Sequence, residues 1–299
     1  MNIATKMKRA RIRNRNLVIF IFILPGLLIY AVLLLTPLLQ GIVLSTYKFI
    51  TINQRVFVGI KNYIGIFNQP SFWNSMKNTA IFTVGTVSIQ IVVSFIIGYF
   101  IYMQPRFYKF YRTIFFIPAI LSPVAIGFVF GYMVSPAFGL LKGVMDAIGI
   151  GALYLPPLAY PSTALITLIF VNTWQGVAIP TMMFNAGLMN IPEEVIESAS
   201  LDGASGWKMI YYMIIPLVRE IGKTIVILQL VGAIRSFDLV YIMTGGGPMH
   251  STELLPMNMF VQAFQNYNFG YGNAIAVVIF TLCLTITLFF RRLLAGEKY

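Results

Sequence analysis

The chain has 299 residues, of which 58% are hydrophobic and only 10% charged, with a net charge of +12 and a mean hydropathy of +0.82. Soluble domains carry about a quarter of their residues as charges, so this composition excludes an ordinary soluble enzyme, and 15% aromatic residues exclude a disordered chain. The single cysteine, Cys283, excludes a disulfide framework and a cysteine-held metal cluster.

A helix needs about 20 mostly apolar residues to cross the hydrocarbon core. Taken in chain order, the sequence predicts six such spans: Leu17–Gln40, Thr79–Met103, Thr113–Met133, Ser162–Met189, Thr224–Met243 and Asn273–Phe290. The first is about twice as long as the apolar region of a secretory leader and has no small-x-small cleavage site, so it reads as a retained helix. Six spans leave no room for a soluble domain. The chain divides into a basic N-terminal segment, 1–16, and one membrane domain, 17–299, with a polar loop at 190–220.

Basic residues give the direction. Lys6, Lys8, Arg9, Arg11, Arg13 and Arg15 precede the first span, and Arg106, Lys109 and Arg112 lie between the second and third. Lys208, Arg219 and Lys223 lie between the fourth and fifth, and Arg291, Arg292 and Lys298 follow the sixth. The other side has only Lys48, Arg55, Lys61, Lys77 and Lys142, so the positive-inside rule places both termini in the cytoplasm. The charge is therefore a topology signal and not a nucleic-acid footprint. Tyr63, Trp73, Tyr108 and Tyr111 suit the aromatic belts at the two interfaces.

The loop between the fourth and fifth spans is the most informative segment. Pro192 suits the start of a helix, Glu193 and Glu194 favour its positive end, and Gly203 and Gly206 are natural stops. A short helix, a turn and a second helix running past Pro216 are expected on the cytoplasmic face. Small residues crowd the turn, with Glu197 and Asp202 beside them. On physical grounds alone, a surface docked in a partner's groove and a plain amphipathic loop fit equally well.

At these residues the chain resembles a family. Glu197-Ser198-Ala199, then Gly203, then Met213-Ile214-Ile215-Pro216, is similar to the EAA loop of ABC-transporter permeases, with Ser198, Met213 and Ile215 departing conservatively from the usual residues. Pro192-Glu-Glu-x-x-Glu-x-Ala-x-x-Asp-Gly-Ala204 looks like the carbohydrate-uptake, maltose-permease-like branch, whose members depend on an external binding protein. The likeness continues in Gly59–Tyr63, Arg112–Pro118, Val171–Gly176 and Phe237–Pro248.

The resemblance implies an all-α membrane protein of the type I importer permease fold, in a bacterial or archaeal cell membrane. It implies a second homologous permease subunit, two ABC ATPase subunits on the EAA helices, and an extracellular solute-binding protein delivering a sugar or oligosaccharide. Glu197, Ser198, Ala199, Asp202, Gly203, Ala204 and Pro216 would couple to the ATPases. ATP and Mg would belong to those partners, since this chain lacks a P-loop: Leu217 stands where the glycine before Gly222-Lys223-Thr224 would be needed.

A sugar site needs amides or hydroxyls beside aromatic rings. Asn172, Trp174 and Gln175 supply these within one helical turn, and the resemblance adds Gly176 and Ile179. It also brings Gln229, Gly232 and Ala233 from the fifth span, and Ala119 and Pro123, with Ser122 adjacent, from the third. Gln175 and Ile179 differ from the maltose pattern, so the same sugar is not implied. The alternative for the amides is helix–helix bonding. Arg235 and Asp238, three apart in the fifth span, read as an ion pair or a gate contact. His250 reads as a loop residue and Cys283 as packing, and no metal site is expected.

Three rivals remain. A gradient-driven transporter would want intramembrane carboxylates and repeats, and only Asp238 qualifies. A membrane enzyme would want a deep catalytic cluster, and the one histidine lies in a loop. A permease of the same fold for a phosphorylated polyol or another small solute would ask for little more than a basic residue such as Arg235.

Overall fold

A computed structural model describes residues 20–51 and 54–295. The basic segment 1–16, the first residues of the first expected span and Lys298 lie outside the described residues. The fold is helical throughout except for a small hairpin, β1 (Tyr47–Phe49) and β2 (Arg55–Phe57), paired antiparallel with Lys48 opposite Val56. The sequence reading did not anticipate this hairpin.

Among the described residues, three helices are unbroken and long enough to cross a membrane: α1 (Phe20–Leu44), α3 (Pro70–Tyr102) and α14 (Phe269–Ala295). Between α1 and α3 lies the short α2 (Lys61–Phe67). The other three expected spans are interrupted. The third divides into α4 (Tyr108–Ile120) and α5 (Pro123–Met133), which meet at 97°. The cause is local: Leu121 and Ser122 are extended, as residues before a proline prefer, and Pro123 opens the next helix.

After α6 (Leu140–Ala147), the fourth span divides into α7 (Pro161–Gly176) and α8 (Ala178–Met189), bent by 45°. The loop between the fourth and fifth expected spans forms, as expected in shape, α9 (Glu193–Leu201) and α10 (207–217), the latter containing a π-helical turn at Ile210–Ile214. The fifth span divides into α11 (Arg219–Ile234) and α12 (Asp238–Met243). It is followed by α13 (Leu255–Phe260), which runs on into a π turn at Val261–Gln265.

α3 is the hub, packing against α7, α8 and α11. Its buried face carries Ser75, Thr79, Thr83, Thr86, Gln90, Ser94 and Gly98, while Ile81, Val84, Ile89, Val92 and Ile96 are exposed. Positions three and four apart share a helix face, so the polar and small side chains form the packing seam and the branched aliphatics face outward. That inverts the soluble pattern and suits a lipid surround, where close approach and interhelical hydrogen bonds replace hydrophobic exclusion. At Gly98 a Cβ would lie 3.0 Å from the Thr181 carbonyl oxygen and 3.1 Å from Phe184 Cβ, so glycine lets α8 approach.

Three apolar cores result. Phe82, Leu168 and Val240 centre one between α3, α7 and α12. Ile66, Phe72, Leu255 and Ile275 centre the second, at the end bearing α2 and the hairpin. Phe184, Leu188, Ala199, Ile214 and Ile225 centre the third, which roots α9 and α10 on the helix bundle.

Candidate coupling surface and transport pathway

α9 begins after Pro192, whose extended backbone caps the helix, and it carries Glu193 and Glu194 in its first turn. It ends where Gly203 enters the left-handed region at φ +86°, with the Gly203 N–H donating to the Ser200 carbonyl at 3.0 Å and the Ala204 N–H to the Ala199 carbonyl at 2.9 Å. Gly206, at φ +53°, turns the chain again into α10. Ala199 is the buried foot of this unit, packed in the third core, while Glu197, Ser198, Asp202 and Gly203 are exposed.

A groove of about 510 Å³ lies between the two helices, lined by Glu194, Ser198, Asp202, Gly203, Lys208 and Tyr212, with Ala199 and Ala204 at its floor. Pro216 lies in the last turn of α10, just beyond the π stretch. A proline has no N–H to donate back into the helix, and a π turn is where such a ladder is already loosened. Two large apolar side chains flank the Gly203 turn and stand clear of the protein: Leu201 is 89% exposed and Trp207 83%. The sequence reading passed over both. Their signal was available, since neither belongs to the buried stripe that carries Ala199.

The second constellation lies at the centre of the bundle. Gln90 Nε2 donates to the Asn172 carbonyl at 3.1 Å, and Gln229 Nε2 donates to Gln90 Oε1 at 2.6 Å and to the Gly176 carbonyl at 3.3 Å. Gln90 is buried, and a Cβ at Gly176 would overlap its amide, so Gly176 is the space in which Gln90 fits. Gln90, absent from the sequence expectations, thus ties α3 to both α7 and α11. Gln229 takes part in helix bonding.

Asn172 and Gln175 differ. Both are half-buried, and neither side-chain amide has a hydrogen-bond partner among the described residues. Trp174 is 37% exposed, its ring 5.2 Å from that of Phe130 on α5, and Ile179 is exposed. Ala119, Ser122 and Pro123 are exposed around the break between α4 and α5. Gly232 faces open space, whereas Ala233 is buried in the first core, so its side chain packs there.

Arg235 and Asp238 form no ion pair within 4.0 Å among the described residues. The expected pairing assumed one continuous helix. Instead Arg235 closes α11, Asp238 opens α12, and Phe237 between them takes φ −128°, ψ −55°, so the one-face spacing of three is lost. Arg235 borders a cleft with Leu34, Leu38 and Cys283, away from Asn172 and Gln175, neither of which lines that cleft.

The loop after α12, expected on the outer side, is fastened to α3. Asn78 Nδ2 donates to the carbonyls of His250 and Glu253 at 3.0 and 3.2 Å, and the Leu255 N–H donates to Thr79 Oγ1 at 2.8 Å. Glu253 is buried, with Oε1 accepting from Asn258 Nδ2 at 2.6 Å and Oε2 facing His250 Nδ1 at 2.5 Å. His250 is a loop residue with an acidic partner. Among the described residues no group of three or more His, Cys, Asp or Glu could hold a metal ion.

Comparison with known proteins gives the family and the fold. Residues 90–296 match the family described as the binding-protein-dependent transport system inner membrane component. The multiple sugar-binding transport system permease protein MsmF of Streptococcus mutans is 31% identical, over 87% of this chain and 89% of its own. The trehalose/maltose transport system permease protein MalF of Thermococcus litoralis is 26% identical, over 90% of each. In fold, the chain superposes with a TM-score of 0.80, at 18% identity over 96% of its length and 98% of the other, on a chain of a bacterial ABC transporter involved in import of the acidic polysaccharide alginate.

Proposed function

Because the chain belongs to the binding-protein-dependent transport system inner membrane component family, we propose that it is the membrane permease subunit of an ATP-driven importer that takes up a sugar or oligosaccharide. The observation that carries this is the α9–α10 unit. It presents a small-residue groove and two projecting apolar side chains on one side, and on the other is rooted through Ala199 in the core from which α11 rises. A helix pair held this way can receive a push and pass it inward.

In this reading two ATPase subunits grip the α9–α10 units of this chain and of a second, homologous permease subunit, and they carry the ATP and Mg. Both termini and α9 face the cytoplasm, and an external binding protein hands the sugar to the opposite face. Glu197, Ser198, Ala199, Asp202, Gly203 and Ala204 form the docking surface, with Pro216 setting the loosened turn behind it. Asn172 and Gln175 offer their free amides to sugar hydroxyls, with Trp174 as an apolar wall. Gly176, Ile179, Gly232 and the Ala119–Pro123 break shape the passage, and Gln229 holds it together. The chain itself is a conduit, and the chemistry of ATP hydrolysis belongs to its partners. The carbohydrate-transport names of two relatives support the substrate class.

The test is to extract the transporter in mild detergent through a tag on this chain and weigh the subunits that come with it. A second permease and an ATPase, with uptake that stops when ATP is withheld, are expected. A chain that purifies alone and still moves solute without ATP would overturn the reading.

A further inference from the structure

The cleft that holds Arg235 plays no part in the pathway described above. It measures about 710 Å³ and is bounded by Leu34 and Leu38 of α1, by Met259 and Phe260 of α13, and by Ile279 and Phe280 of α14, with Cys283 deeper along α14. Leu34 remains 53% exposed and Phe280 41%, so the cleft opens outward from the bundle. Its lining contains no amide, no hydroxyl and no carboxylate. Apart from one guanidinium, a sugar has nothing to bond there. The one polar group is the guanidinium, which is exposed and makes no hydrogen bond or ion pair with any described residue.

Its depth follows from the helix that carries it. α11 carries Arg219, Glu220 and Lys223 in its first turns, and from Thr224, where the expected span begins, it rises about 17 Å to Arg235 in a hydrocarbon core about 30 Å thick. Arg235 therefore stands just past the midplane, in the far leaflet, where its long side chain can snorkel towards the headgroups on that side. A guanidinium at that depth calls for an anion, and phosphate oxygens match its forked donors.

We propose that this cleft binds an anionic phospholipid of the leaflet opposite the coupling loop, its phosphate on Arg235 and an acyl chain along Leu34, Leu38, Ile279 and Phe280. Anionic lipid is favoured over zwitterionic because no carboxylate lines the cleft to receive a headgroup ammonium.

The assembled transporter, reconstituted in nanodiscs of equal phosphatidylglycerol and phosphatidylcholine and then stripped with detergent, should retain phosphatidylglycerol several-fold over phosphatidylcholine by native mass spectrometry. Arg235→Gln should abolish the preference, and Lys77→Gln, at an exposed cation on α3, should keep it. The unaltered protein supplies a second measurement, because Cys283 is this chain's single cysteine. A lipid-soluble maleimide should modify it more slowly in phosphatidylglycerol than in phosphatidylcholine. Equal retention of the two lipids, or a preference that survives Arg235→Gln, would overturn the proposal. So would Cys283 protected equally in both lipids, the result expected if a partner subunit's helix fills the cleft, or labelled equally fast in both.

Discussion

Gln229 Nε2 on α11 and Gln90 Oε1 on α3 lie 2.6 Å apart, bonded across 139 residues of chain. Through Gln90 the bond continues to the Asn172 backbone, so the helix that rises from the coupling loop is fastened at mid-depth to the helix bearing the proposed sugar amides.

Gln90→Leu should therefore be destabilising, because it leaves the Gln229 amide short of an acceptor in a buried seam. An unsatisfied buried donor costs roughly 1–3 kcal/mol, and the thermal midpoint of the purified protein should fall accordingly. The double variant Gln90→Leu with Gln229→Leu should cost less than the two single changes summed. Strict additivity would show that the two amides do not act together.

Asn172→Ala and Gln175→Ala should behave in the opposite way. Their amides have no partner to lose within the chain, so the midpoint should hold while sugar uptake falls, about tenfold for each 1.4 kcal/mol of lost binding. Uptake at the normal rate in both variants would remove these residues from the pathway.

Gly203→Val should strike coupling. At φ +86° a β-branched residue is strained, by roughly 1–2 kcal/mol, and the α9–α10 turn should reshape. Leu201→Ser changes no buried contact, so the fold should be intact. In both variants the amount of ATPase recovered with the chain should drop, and undiminished recovery with Leu201→Ser would mean that the projecting side chain is not part of the dock.

Gly98→Val should impair packing of α3 on α8. The first added carbon already meets Thr181 and Phe184 at close to 3 Å, and overpacking of this kind costs about 1–3 kcal/mol. Yield and thermal midpoint read the effect, and an unchanged midpoint would show that the two helices can part freely.

Asn78→Ala should loosen the outer loop without touching either site. It removes both bonds to the His250 and Glu253 carbonyls, so amide exchange should quicken over residues 244–254. If exchange there is unaltered, the remaining bonds, from Asn74 Nδ2 to the His250 carbonyl and from the Leu255 N–H to Thr79, hold the loop.

Much of this architecture was legible in the residues. The long apolar runs announced α1, α3 and α14, and the Pro192, Gly203 and Gly206 punctuation announced the α9 helix and its turn. The breaks were harder to read. Pro123 marks one of them, but Arg235-Ser236-Phe237 has neither proline nor glycine to announce the interruption there. Gln90 was passed over because a single amide in an apolar run carries little weight by itself. The polar seam from Ser75 to Gly98, at spacings of three and four, is the pattern in which it should have been read. The hairpin at Tyr47–Phe57 is too short for alternation to speak.

The unbroken length of α11 has a mechanical consequence. A rod transmits an axial stroke only as far as it stays rigid, and this one is continuous from Arg219, just past the break at Val218, to Ile234, before the joint at Arg235. A displacement delivered at its foot would reach Gln229 along one continuous helix, with the break between Ile234 and Asp238 as the first joint that could take it up. In the proposed reading, the stroke would thus be largest in the half of the bundle nearest the partner ATPases.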